Sequence, residues 1–171
     1  MNGIFLNNEL TDFNLSPERD GLPTANRVEG GKRPRSSMSP LIVFDPAGRV
    51  RLSIGAAGGS TIIAQIAKAL IGVIDWKMTA QDAISMGLLY APGPGGAVER
   101  GSHLEAMLPE LAALGERLTA APLGLKANAI EWRDGGWTGA ADPRSEGVSM
   151  GLDGKGIKPA AAVPQKDRPS E

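Results

Sequence analysis

Between residues 32 and 60 the chain runs KRPRSSMSP, then LIVFDPAGRVRLSI, then GAAGGS. This succession constrains the fold more than any other feature. The apolar runs at 41–44 and 50–54 read as strands. Asp45-Pro46-Ala47-Gly48 between them has Asp first, Pro second and Gly fourth, which fits a type I turn. An antiparallel hairpin returns on itself, so its outer ends are expected close together. Ser36 and Ser37 precede the first strand, and Gly58 and Gly59 follow the second. Both pairs are therefore expected along one sheet edge. Hydroxyls and the backbone N–H groups left free at a helix start form an anion-binding set.

Past the glycines, Ile62, Ile63, Ile66, Leu70, Val73 and Ile74 recur at helical spacing. Ser60 is the expected N-cap. Thr79 with Asp82 resembles a capping box and starts a second helix. APGPGG within 88–96 reads as a loop, and 98–100 as a short strand. Ser102 with Glu105 makes a capping box for a helix carrying Leu104, Met107, Leu108 and Leu111 and ending at Gly115. Residues 117–120 read as extended. Residues 129–133 and 137–141 form a hairpin over Asp134-Gly135-Gly136. Trp132 and Trp137 flank that turn as packing residues. Upstream, 3–6 reads as a strand and 7–40 as a long polar loop, a length that is usually functional or disordered. Strands, then helices, then a hairpin give an α+β class, with helices covering one face of a mainly antiparallel sheet.

Composition closes off several functions. A formal charge of −1 gives no electrostatic reason to expect nucleic acid. With no cysteine and one histidine, His103, neither a thiolate nor a histidine metal cluster is expected, and no cofactor is implied. There is no apolar stretch of about 18 residues, so no membrane span is expected. MNGIFLNNELTDF lacks the basic flank and apolar core of a signal peptide.

Three constellations carry chemistry. Glu9 and Asp12 lie three apart, and a turn there would converge their carboxylates on an ammonium group. The alternative is a solvated turn with an Asx bend. Ser36 and Ser37, in Arg33-Pro34-Arg35-Ser36-Ser37, lead into a strand that would pin their hydroxyls, or they belong to an ordinary basic loop. Gly58 and Gly59 before a helix form an oxyanion hole of backbone N–H groups, or a tight strand-to-helix turn. The spacing is neither GxxxxGK[ST] nor GxGxxG, so it is not a nucleotide loop.

In order, GIFLNNELTDF, GKRPRSSMSPLIVF, GAAGGSTII, VIDWKMTAQDAI and GAADPRS resemble the small subunit of gamma-glutamyltransferases (gamma-glutamyl transpeptidases). That family has the αββα sandwich of N-terminal-nucleophile hydrolases, shared by two subunits, and is often periplasmic or extracellular. It passes the gamma-glutamyl group of glutathione to water or an amino acid through an acyl-enzyme. The resemblance implies that Glu9 and Asp12 bind the donor's α-ammonium and that Ser36 and Ser37 bind its α-carboxylate. Gly58 and Gly59 would form the oxyanion hole. The family's nucleophile is a threonine upstream of the GIFLNN segment. Thr11, Thr24, Thr61, Thr79, Thr119 and Thr138 are internal, and none matches it. A large subunit or companion chain would supply the nucleophile strand and a carboxylate-binding arginine. Ala56-Ala57 stands where Ser-Pro is usual, and 88–96 and 123–128 also depart from the family pattern.

The expectation is a small-subunit-like domain over 1–145, N-terminally truncated and inactive alone, followed by a disordered tail over 146–171. Two alternatives are a non-catalytic binding or assembly module that pairs with a companion chain, and an unrelated small-anion-binding domain.

Overall fold

Strict in–out alternation over residues 126–133 and the turn chemistry at 45–48 and 134–135 build the central sheet. The computed structural model describes residues 3, 6–151 and 153–157. It separates into two units, Met1–Ser37 and Met38–Glu171.

In the second unit, β3 (Leu41–Phe44), β4 (Val50–Ala57), β8 (Lys126–Arg133) and β9 (Gly136–Ala141) form an antiparallel sheet in that order. The first hairpin pairs Leu41 with Ile54 and Val43 with Leu52. Its turn is locked by Asp45, whose Oδ1 accepts from the Ala47 and Arg49 N–H groups, both at 2.9 Å. The second hairpin turns on Asp134 and Gly135, both at positive φ, the combination a two-residue type I′ turn requires. Trp132 and Trp137 pair across it, edge to face at 5.3 Å.

One face of this sheet is covered by α1 (Ile62–Ile74) and α2 (Ala80–Ser85). The core joins Leu52 and Ile54, Ile62, Ile66, Ala69 and Val73, Ala83 and Ile84, and Ala127, Ala129 and Ala140. Alanines on β8 and β9 let the helices lie close. At Gly72 a side chain would meet the Ala83 methyl at 2.7 Å. The buried face of α1 is rotated from the expected one: Ile63 and Ile74 are exposed, while the polar Gln65 is buried.

Three further expectations need correction. Ser60 does not cap α1; a 3-10 turn, Gly59–Thr61, leads into the helix, and Thr61 Oγ1 donates to Gly58 O at 3.0 Å. The helix after Ser102 is two short pieces, α3 (His103–Ala106) and α4 (Leu108–Ala113). Pro109 has no N–H to give and would press on the carbonyl four residues back, so the helix breaks before it. Ser102 Oγ donates to Glu99 O rather than capping, and Glu105 accepts from Gly101 N. A second sheet runs β5 (Leu89–Tyr90), β6 (Gly96–Glu99), β7 (Leu118–Ala121), with β6 and β7 parallel across α3 and α4.

The strand expected at 3–6 rests on Ile4 and Phe5, which lie outside the described residues. Within the stretch read as a tail, β10 (Ser149–Met150) pairs with β11 (Gly156–Ile157); residues 158–171 lie outside the description. No described helix is long and apolar enough to cross a membrane.

The first unit is not plain loop. β1 (Glu18–Arg19) and β2 (Leu22–Pro23) form a hairpin on Asp20-Gly21, both at positive φ. That dipeptide is a hairpin signal that a reading of 7–40 as loop does not use.

Candidate functional site

In the first unit, Glu9 and Asp12 begin and end a 3-10 turn, Glu9–Asp12. With three residues per turn, positions i and i+3 eclipse, so both carboxylates rise on one side. Neither is buried. The turn is tied by Thr11, whose N–H and hydroxyl both reach Asn8 O, at 2.9 and 2.7 Å. Asn26 then links it to the serine segment. Its Nδ2 donates to Asp12 O at 2.7 Å and to Asn14 Oδ1 at 3.2 Å, while its Oδ1 accepts from Arg35 N at 3.0 Å. The backbones of Asp12 and of Arg35, next to Ser36 and Ser37, are thus held to one side chain. Asn26 carries no signal of this role in the sequence, where it is one polar residue among many.

In the second unit, β4 ends at Ala57 and the chain turns through Gly58 (φ 136°) and Gly59 (φ 59°) into α1. A Cβ on Gly58 would lie 2.7 Å from Thr61 Oγ1, 2.8 Å from Gln65 Nε2 and 3.3 Å from Gly124 O. Gln65, 2% exposed, fills the inside of the turn. Its Nε2 donates to Ala57 O (2.9 Å) and Thr61 Oγ1 (3.0 Å), and its Oε1 accepts from Lys126 N (2.9 Å). Gly58 O also accepts from Thr61 N at 3.3 Å. A helix start leaves its first N–H groups without intrahelical partners, and here the Ile62 N–H, like that of Thr61, turns back onto the glycines, at Gly59 O.

Beside the turn lies an open cleft of about 510 Å³, lined by Gly55, Ala56, Ala57, Lys126, Asn128, Ser145 and Gly147. Lys126 and Asn128 fall in the 123–128 stretch singled out from the sequence.

A second polar cluster sits at the far end of α2. Arg144 donates to both Glu99 oxygens, to Asp142 Oδ1 (3.0 Å), and to the carbonyls of Ile84, Ser85 and Met86. Lys68 of α1 donates to the Ile84 and Met86 carbonyls as well. Burial pushes Lys68 down to about 8; the Arg144 charge adds to this, and Glu99 and Asp142 oppose it. Every Arg144 donor direction ends on protein, so this cluster is scaffold. Among the described residues no group of three or more His, Cys, Asp or Glu is placed to hold a metal.

The sequence model of the family described as Gamma-glutamyltranspeptidase matches residues 1–152. The glutathione hydrolase proenzyme of Bacillus subtilis (strain 168) is 30% identical over 153 residues, covering 88% of this chain and 25% of that protein. The chain thus spans about a quarter of the length of such relatives. An acivicin-inhibited gamma-glutamyltranspeptidase superposes with a TM-score of 0.70 at 32% identity, over 85% of this chain and 82% of that one. The enzyme of Pseudomonas nitroreducens complexed with L-DON gives 0.72 at 30% identity, over 88% and 83%. The α+β fold is that of the N-terminal-nucleophile hydrolases.

Proposed function

The chain belongs to the gamma-glutamyltranspeptidase family, and from that premise we propose that it is the small-subunit portion of an enzyme that transfers or hydrolyses gamma-glutamyl groups. The observation that carries this reading is the Gly58–Gly59 turn, two successive positive-φ glycines at a helix start, with the Ala57 carbonyl held by Gln65 and the Gly58 carbonyl by Thr61. Such a turn suits the tetrahedral intermediate of acyl transfer, in which a carbonyl oxygen becomes an anion and needs preorganised donors. The lengths agree as well, because this chain covers 82–83% of the solved chains but 25% of a full proenzyme.

In this reading Glu9 and Asp12 hold the α-ammonium of a donor such as glutathione, and Ser36 and Ser37 hold its α-carboxylate. A threonine on a companion chain attacks the γ-carbonyl. Gly58 and Gly59 N–H groups take the developing oxyanion, the amine leaves, and water or an amino acid resolves the acyl-enzyme. The companion also supplies an arginine for the α-carboxylate.

The test is reconstitution with a large subunit carrying the nucleophile strand, assayed on a chromogenic gamma-glutamyl anilide. The 171-residue chain assayed by itself is expected to be inactive, and the assembled enzyme active. There, Asp12→Ala removes a charge-assisted hydrogen bond of about 1.5–3 kcal/mol, raising KM by about one to two orders of magnitude. Ser36→Ala with Ser37→Ala acts in the same direction. Turnover by the chain alone, or unchanged KM in both variants, would remove these assignments.

A further inference from the structure

Resting on the oxyanion reading of Gly58 and Gly59, we propose that Gln65, acting partly through Thr61, is the positioning residue that aims both backbone donors. A trans peptide is planar, so its C=O and N–H point in opposite directions, and holding one aims the other. The Gly58 N–H shares a peptide with the Ala57 carbonyl, which accepts from Gln65 Nε2 at 2.9 Å. The Gly59 N–H shares a peptide with the Gly58 carbonyl, which accepts from Thr61 Oγ1 at 3.0 Å. Thr61 Oγ1 in turn accepts from Gln65 Nε2 at 3.0 Å, so its own proton is directed to Gly58.

The third bond anchors the device. Gln65 Oε1 accepts from Lys126 N, and Lys126 is the register partner of Ala57 at the end of the β4–β8 ladder. One side-chain amide therefore fixes two peptide planes against the sheet. The amide has a single orientation: reversing it would set its NH₂ against the Lys126 N–H and its oxygen against the Ala57 carbonyl. Packing alone would be met by leucine or methionine at this buried place. Thr61 and Gln65 are 7% and 2% exposed, so water cannot replace either bond.

The test uses the enzyme assembled from this chain and its large subunit, with kcat, KM and melting temperature read for Gly58→Ala, Gln65→Met, Thr61→Val and Thr61→Ser. Gln65→Met and Thr61→Val are expected to lower kcat by about tenfold or more, towards the roughly 10²–10³ lost with a whole oxyanion donor, with KM nearly unchanged. Thr61→Ser, which keeps the hydroxyl, restores most of what Thr61→Val loses. A role confined to packing would lower melting temperatures and leave kcat per folded enzyme alone. If Gln65→Met does not fold, Thr61→Val decides, because it leaves the Gln65 bonds to Ala57 and Lys126 in place. A kcat that falls in Gly58→Ala but holds in Gln65→Met and Thr61→Val overturns this inference and leaves the oxyanion reading standing. A kcat indifferent to Gly58→Ala, or an assembled enzyme without turnover, overturns both.

Discussion

A methyl group on Gly58 would collide with Thr61 and Gln65, whereas one on Gly59 would meet nothing within 4 Å. The two glycines thus answer different demands. Gly59, at φ 59°, needs only a residue that tolerates the left-handed region, where a side chain costs about 1–2 kcal/mol. Gly58 needs the absence of a Cβ. Gly58→Ala is expected to destabilise the chain by more than about 2 kcal/mol, and Gly59→Asn by less than about 1 kcal/mol, since Asn tolerates that region. Equal shifts in denaturant midpoint would contradict this account of the turn. The glycines were legible in the sequence because two in succession, directly before a helical repeat, mark a turn that residues with side chains make only under strain. Their supports were not. Gln65 sits among isoleucines and alanines, where a pattern of apolar spacing assigns a polar residue to solvent. Only the fold brings Ala57 and Lys126 to either end of its amide.

The short helix α2 is held at both ends by groups from other segments. Thr79 and Asp82 cap its start, as their spacing indicates: Thr79 Oγ1 accepts from Asp82 N and donates to Asp82 Oδ2. Glu131 of β8, 2% exposed, accepts from Ala80 N at 2.8 Å. The C-terminal carbonyls receive Lys68 and Arg144. The local cap could be read from neighbouring residues; the clamps come from α1, β8 and the segment after β9, and sequence offers no register between them. Lys68 makes the clamp pH-sensitive. Its folded pKa is lowered to about 8 from an ordinary value of 10.5. Between these values the unfolded chain binds a proton that the folded chain has released, so stability rises with pH. Below about 8 both states are protonated and the folded state carries the full cost of the buried charge. The neutral amine still has two N–H donors for the Ile84 and Met86 carbonyls. Melting temperature measured from roughly pH 7.5 to about 10 is expected to climb relative to Lys68→Met, in which this component vanishes. Parallel pH profiles for the two proteins would refute it.

At the scale of the whole molecule, the feature that asks for a partner is the sheet face turned away from α1 and α2. Ladder pairs place Ile42, Ser53, Ile130 and Gly139 across it in one row and Trp132 beside Trp137 in the next. Ile42, Ile130 and Trp137 are each more than half exposed. The hairpins themselves were legible from turn chemistry, and a sheet lacking upstream strands is expected to expose an edge or an apolar face; which residues make that face was not legible. Apolar residues on both sides of a strand look the same in a sequence, whether a second layer comes from the same chain or from another. An antiparallel sheet with one solvated face ordinarily alternates apolar with polar residues. Here the outer side is polar at Lys126 and Asn128 but apolar at Ile42, Ile130 and Trp132, the pattern of a sheet covered by a second layer over that half. In the proposed enzyme the companion chain supplies the missing layer. The isolated chain is therefore expected to self-associate through this face. Ile42→Lys with Ile130→Lys should return it to a monomer by light scattering. Because neither side chain is in the core, the cost in stability should stay within roughly 0.5 kcal/mol per site. The same pair should also prevent assembly with the large subunit, since two charges would then lie in an apolar interface. A wild-type chain that is monomeric at high concentration, or a double variant that still assembles into active enzyme, would show that the companion docks elsewhere.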